Sequence, residues 1–150
     1  MRQKLSYTTI SMLILSSLVL LLVTGCGPRS QPTKEEKMAV REIMEIRKTA
    51  IQTRDIELYK QAIFPGYSDL GVDFNGIIAD MQEKFDNYEK IEFTYQRSTV
   101  DMDMNSARMV GQITYKTPDM ERPVYSQERT IFRRVDGKWM ISAGIETGLF

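Results

Sequence analysis

The chain has 150 residues and a mass of 17.4 kDa, with 20 basic and 20 acidic residues and therefore no net formal charge. It has no histidine and one cysteine, which excludes Ser-His-Asp and Cys-His catalysis, histidine metal ligands, an internal disulfide and a cysteine zinc site. At 42% hydrophobic and 27% charged residues it is composed as a globular protein, and its length suits one domain.

Arg2 and Lys4 give a basic start. Residues 5–25 then form a run of 21 without charge, centred on Leu13 to Val23 and ending in Thr24 and Gly25. Cys26 follows directly. Basic, apolar, then small is the layout of a secretory signal. Val23-Thr24-Gly25-Cys26 resembles the lipobox of bacterial lipoproteins. That resemblance implies diacylglyceryl transfer to the Cys26 thiol and cleavage between Gly25 and Cys26. Two acyl chains at one residue anchor stably, at about 0.8 kcal/mol per buried methylene. The competing reading is an uncleaved span, for which 21 uncharged residues suffice. Either reading leaves the remainder outside the cytoplasm, held at the cell membrane or the outer membrane. The expected divisions are a signal over 1–25, a tether over 26–32 and a folded domain over 33–150. Without Arg2 and Lys4 the mature chain carries 18 basic against 20 acidic residues, a net −2. Its charges alternate in sign with no basic stripe, so no nucleic-acid partner is expected.

Thr33-Lys34-Glu35-Glu36 reads as a capping box and predicts a helix to about Thr53. Ala39, Val40, Ile43, Met44, Ile46, Ala50 and Ile51 form its apolar face. Asp55 caps a short second helix with Ile56, Tyr59, Ala62 and Ile63 inward, ended by Phe64-Pro65-Gly66. Tyr67 to Gly71 reads as a loop. Asp73 caps a third helix, whose stripe is Phe74, Ile77, Ile78, Met81, Phe85 and Tyr88. Gly76 stands inside it without an evident reason. From residue 90 the period becomes two, and Ile91, Phe93 and Tyr95 begin a strand. Asp103 to Ser106 is a turn, Ala107 to Tyr115 a second strand, Val124 to Val135 a third. Asp136-Gly137 predicts a two-residue hairpin turn, followed by a strand from Lys138 to Ile145. That turn pairs Arg134 with Trp139, Phe132 with Ile141 and Thr130 with Ala143. The expected fold class is α+β: three N-terminal helices packed on a curved four-stranded antiparallel sheet.

This order resembles the NTF2-like superfamily, which includes SnoaL-like and ketosteroid-isomerase-like proteins with a cystatin-like, cone-shaped fold. The echoes are Thr53-Arg54-Asp55 at the second helix, Tyr67-Ser68 after it, and the closing Val135-Asp136-Gly137-Lys138-Trp139-Met140-Ile141. They span roughly residues 34 to 146. The resemblance implies a cavity at one end of the cone and association through the sheet, so a homodimer is an expected arrangement. No local motif maps the superfamily's catalytic residues onto this chain. Tyr59, Tyr95, Arg134 and Trp139 are the candidate cavity residues, with Tyr67 and Tyr115 as further polar groups. Arg134 beside Trp139 is also a cation–π pair. Asp101, Asp103 and Tyr95 are the fallback catalytic groups. Asp101-x-Asp103-x-Asn105 lacks the glycine and the bidentate glutamate of a calcium loop, and the methionines read as core filler. No metal or cofactor is expected. The leading functional reading is a membrane-anchored, non-enzymatic binding module for a small apolar ligand or a protein partner. The alternatives are a lyase or isomerase of the SnoaL or ketosteroid-isomerase type, and a structural subunit of an envelope complex.

Overall fold

A computed structural model of the chain describes residues 31–147. Gly25, Cys26 and the tether up to Ser30 lie outside these residues. Helix α1 (Lys34–Thr53) begins with the expected capping box: Thr33 Oγ1 accepts from the Glu36 N–H at 3.2 Å, and the Thr33 N–H donates to the Glu36 carboxylate at 3.0 Å. Helix α2 (Ile56–Ala62) is capped by Asp55, which accepts from the Leu58 N–H at 2.9 Å. The stretch expected as a loop carries a small hairpin, β1 (Ser68–Asp69) and β2 (Val72–Asp73). Its turn residues, Leu70 and Gly71, both have positive φ, 47° and 86°, the geometry of a tight hairpin turn. Two-residue strands are too short to show a period, which is why the pattern reads as loop.

Helix α3 (Phe74–Asn87) is capped by Asp73 through the Gly76 N–H at 2.8 Å. The same glycine lies against β2. A Cβ at position 76 would sit 3.1 Å from Val72 Cγ1, closer than methyl groups pack. Glycine costs about 1 kcal/mol in a helix, and here it lets α3 start directly on the hairpin.

Four strands follow: β3 (Glu92–Met102), β4 (Ser106–Lys116), β5 (Val124–Val135) and β6 (Lys138–Ala143), an antiparallel meander in that order. Asp136 (φ 49°) and Gly137 (φ 80°) make the hairpin turn, and Arg134 pairs with Trp139 and Phe132 with Ile141. The expected pairing of Thr130 with Ala143 does not form; a bulge between Ile131 and Phe132 puts Ala143 opposite Ile131. The cause lies one residue on. Gly144 adopts φ 84°, and a Cβ there would lie 1.8 Å from the Arg129 carbonyl oxygen. The chain crosses β5 at that point, so β6 ends before Ile145. A second bulge lies between Gln96 and Thr99, with Arg97 at φ 51°. Gly111 opposite it makes room, since a Cβ there would meet Ser98 Cβ at 3.2 Å. Both bulges bend their strands.

The helices cover one face of the sheet. Along β4, Ala107, Met109, Gly111, Ile113 and Tyr115 are buried while the residues between them are partly or fully exposed. Against them pack Val40, Met44 and Ile51 of α1, Tyr59 of α2, and Ile77, Met81 and Phe85 of α3. The end of α2 joins β6 through the Phe64 N–H to the Ile141 carbonyl at 2.8 Å. The Arg54 guanidinium donates to the Phe85 carbonyl at 2.6 Å, near the negative end of α3. Among the described residues no helix is long and apolar enough to cross a membrane.

Candidate functional site

The covered face contains an ion pair. Arg47, on the buried side of α1, donates to Glu128 of β5 through both terminal nitrogens, at 2.5 and 2.9 Å. Their side chains are 3% and 2% exposed. Thr130 Oγ1 donates to the same carboxylate at 2.9 Å, and the Glu146 N–H reaches its other oxygen at 3.4 Å. The Arg47 guanidinium lies 5.2 Å from the centre of the Phe93 ring. Burial works against the Arg47 charge, but the adjacent Glu128 carboxylate outweighs it, and the guanidinium titrates above its ordinary range.

Tyrosines surround this pair. Burial pushes the Tyr59 hydroxyl up to about 12, with the Arg47 charge pulling the other way. Burial, followed by Glu45, raises Tyr95. Burial also raises Tyr67, whose hydroxyl oxygen accepts from the Ile145 N–H at 3.3 Å. Arg47 Nε and the hydroxyls of Tyr59 and Tyr95 have no hydrogen-bond partner among the described residues. Each such buried group costs about 1–3 kcal/mol.

The chemistry of the cluster follows from its occupancy. A carboxylate offers about four lone-pair sites, and four donors address Glu128. A general base needs a free lone pair aimed at a substrate. The surrounding tyrosines stay neutral throughout the physiological range. The Glu128 carboxylate therefore has no lone pair left to act as a base, while the neutral Tyr59 and Tyr95 hydroxyls beside it stay without partners among the described residues.

Of the four candidate cavity residues, the fold brings Tyr59 and Tyr95 to Arg47. Arg134 and Trp139 stand together near the start of α1. The Arg134 guanidinium lies 5.9 Å from the Trp139 ring centre and 3.5 Å from the Glu36 carboxylate, while Trp139 is 5% exposed. Asp101 is exposed and pairs with Arg108 at 3.4 Å, and Asp103 accepts from the Met104 N–H. Sequence reasoning missed Arg47, Glu128 and Thr130. The signal was present in the spacing. Arg47 stands between Met44 and Ile51 on the apolar stripe, and Glu128 shares strand parity with Thr130 and Phe132.

Open clefts are present among the described residues. One of about 440 Å³ reaches the ion pair, with Glu128 and Arg129 lining it together with Asp69, Leu70 and residues 143–146. Another of about 500 Å³ lies on the uncovered sheet face, lined by residues that include Arg97, Val110, Gln112, Tyr125 and Gln127. A third, of about 570 Å³, lies beside the exposed Met38 of α1.

No family model matches the sequence, and no curated protein matches it. Solved structures do match. An NTF2-like protein of unknown function from Pseudomonas putida aligns with a TM-score of 0.67 at 14% identity, over 75% of this chain and 85% of that one. A cystatin-like-fold protein of unknown function from Nostoc punctiforme gives 0.65 at 12%, over 76% and 91%. A protein provisionally assigned as a dehydratase of the NTF2-like family, from Streptomyces avermitilis, gives 0.64 at 13%, over 75% and 95%. Three helices on a four-stranded antiparallel meander, superposing on these structures over three quarters of the chain, have the NTF2-like, cystatin-like fold.

Proposed function

We propose that the protein is a membrane-anchored lipoprotein whose NTF2-like domain is a non-enzymatic module for binding a protein partner. The anchor reading rests on Val23-Thr24-Gly25-Cys26 at the end of the apolar run. The binding reading rests on one observation above all: the interior is occupied by the Arg47–Glu128 pair, withdrawn from water, with four donors on the carboxylate. A buried ion pair whose carboxylate is fully occupied suits neither an apolar ligand nor a general base, which favours the surface as the place where binding happens.

The lyase or isomerase reading has its own support. Glu128 is a buried carboxylate near Tyr59 and Tyr95, and one fold neighbour is provisionally assigned as a dehydratase. Fold likeness at this identity does not carry chemistry across. The test is a screen of the purified, lipidated protein against enolisable ketones and hydroxyacyl substrates. No turnover above background is expected. Turnover that falls a hundredfold on Glu128→Gln or Tyr59→Phe would overturn the non-enzymatic reading. For the anchor, acyl mass on Cys26 and an uncleaved precursor in Cys26→Ser are expected; normal processing of that variant would remove it.

A further inference from the structure

The uncovered face of the sheet carries a charge pattern that the linear sequence hides. The strand registers place Arg108, Lys116, Arg129, Arg133 and Lys138 on it, and Arg97, in the β3 bulge, lines the cleft over the same face. Of the strand residues only Glu92 and Asp101 oppose them from the same face; Asp69 and Glu146, which accept hydrogen bonds from the Gly144 N–H and the Ser126 hydroxyl respectively, line the cleft beside Arg129. Six basic against two acidic groups leave four net positive charges on the strands, which Asp69 and Glu146 reduce to two, in a chain whose expected mature net is −2. Both strand acids are engaged: Glu92 with Lys90 at 2.6 Å and Asp101 with Arg108 at 3.4 Å. Arg97 and Arg129 are exposed, and neither has an ion-pair partner among the described residues.

The two free arginines bracket a row of amides. Gln96 pairs with Gln112 and Gln112 with Gln127, so three carboxamides cross three neighbouring strands in line. On one side of this row Thr99, Val110 and Arg129 are in register. On the other, Thr114 is paired with Tyr125, which is 64% exposed. The 500 Å³ cleft runs over this region. Arg97 reaches it because of the β3 bulge, which puts a non-glycine residue at φ 51° and adds its side chain to the face beside Gln96. Bulges commonly re-aim a side chain in this way.

We infer that this face docks an acidic polypeptide segment, with Arg97 and Arg129 holding its carboxylates and the glutamine row meeting its peptide groups. The inference rests on the protein-binding reading and deepens it. Arginine presents a planar fork that matches a carboxylate with two parallel hydrogen bonds. Primary amides both donate and accept, as peptide groups do. Val110 and Ile131, half-buried between the charges, offer apolar contact to the partner's side chains. A second copy of this chain is a poor occupant, because a two-fold contact would set two positively charged faces against each other. A glycan is held chiefly on aromatic platforms, and Tyr125 is the exposed aromatic of this cleft.

The experiment uses the full, lipidated chain in detergent micelles and a fluorescent peptide alternating glutamate with leucine. Binding by anisotropy is expected to fall at least tenfold between 50 and about 300 mM salt, as exposed charge pairs are screened. It should also fall at least tenfold in Arg97→Gln/Arg129→Gln, and less than twofold in Lys37→Gln, at an exposed residue of α1. Equal binding of a lysine–leucine peptide, tighter binding of a uronate polysaccharide, or dimerisation abolished by the same double substitution would each overturn the inference. In cells, a photo-cross-linking residue at Gln112 should join an Asp/Glu-rich protein segment, identified by sequencing the adduct, and lose it in the double variant. An adduct only from Met38 on α1 would remove this face and keep the protein-binding reading. No protein adduct from either position would remove both.

Discussion

The two faces of one sheet follow opposite rules. On the covered face, alternate residues of β4 are at or near zero exposure, and the charge present there is a matched pair with every oxygen bonded. On the open face, across the same backbone, Arg97 and Arg129 stand without ion-pair partners among the described residues beside a row of amides. The first face is closed and densely packed, while the second leaves charges exposed and unpaired. A substitution should therefore be costly to stability on one side and nearly silent on the other, while binding should respond in reverse.

The largest expected effects are on the covered face. Trp139 is 5% exposed beneath the Arg134 guanidinium, and Trp139→Ala should cost about 3–5 kcal/mol in denaturant melts. A loss below about 1 kcal/mol would show that the hairpin is not anchored there. Glu128→Leu strands the Arg47 charge and should cost a similar ~3–5 kcal/mol, whereas Arg47→Met/Glu128→Leu together should recover most of it, since a well-packed apolar pair often replaces a buried ion pair without loss. If the double variant is as unstable as the single, the pair contributes more than its own neutralisation.

A smaller effect is set by pH. The Tyr59 hydroxyl titrates near 10 when unfolded and near 12 in the folded protein. A raised folded value means the folded state binds its proton longer, so the contribution is full below pH 10 and is lost as pH rises through 12. Two units correspond to about 3 kcal/mol. Tyr59→Phe should flatten that alkaline limb in melts between those pH values while leaving neutral stability within about 1 kcal/mol. The smallest effects belong to the open face: Tyr125→Ser and Arg129→Gln should each change stability by no more than about 0.5 kcal/mol. A larger loss would mean that this face is part of the fold's own support.

Local chemistry made the fold legible. Thr33, Asp55 and Asp73 announce three helix starts, and Asp136-Gly137 fixes the last hairpin down to Phe132 opposite Ile141. The pairing fails at Ala143 because it depends on Gly144 crossing Arg129, a contact between chain segments that no short window contains. The same limit applies to the interior. Arg47 and Glu128 are 81 residues apart, so each reads alone as a charge on an apolar stripe, and only the fold shows that they answer one another. The open face is a subtler case. Its six basic residues are spread over four strands and interleaved with inward-facing positions, which is why the chain shows no basic stripe although the folded surface has one.

The buried pair has a further consequence for how β5 can align. Side chains alternate between faces, so a shift of one residue turns every inward group outward. Sliding β5 by one position would carry Glu128 into water and bring Gln127 or Arg129 beneath α1. With Arg129 there, two guanidinium groups would meet in a space closed to solvent, and Arg47 would lose the carboxylate that neutralises it. An apolar core alone tolerates a slipped strand whenever another hydrophobic residue falls into place. This one does not, because a single alignment supplies an anion at that depth, and every neighbouring alignment leaves a naked cation indoors.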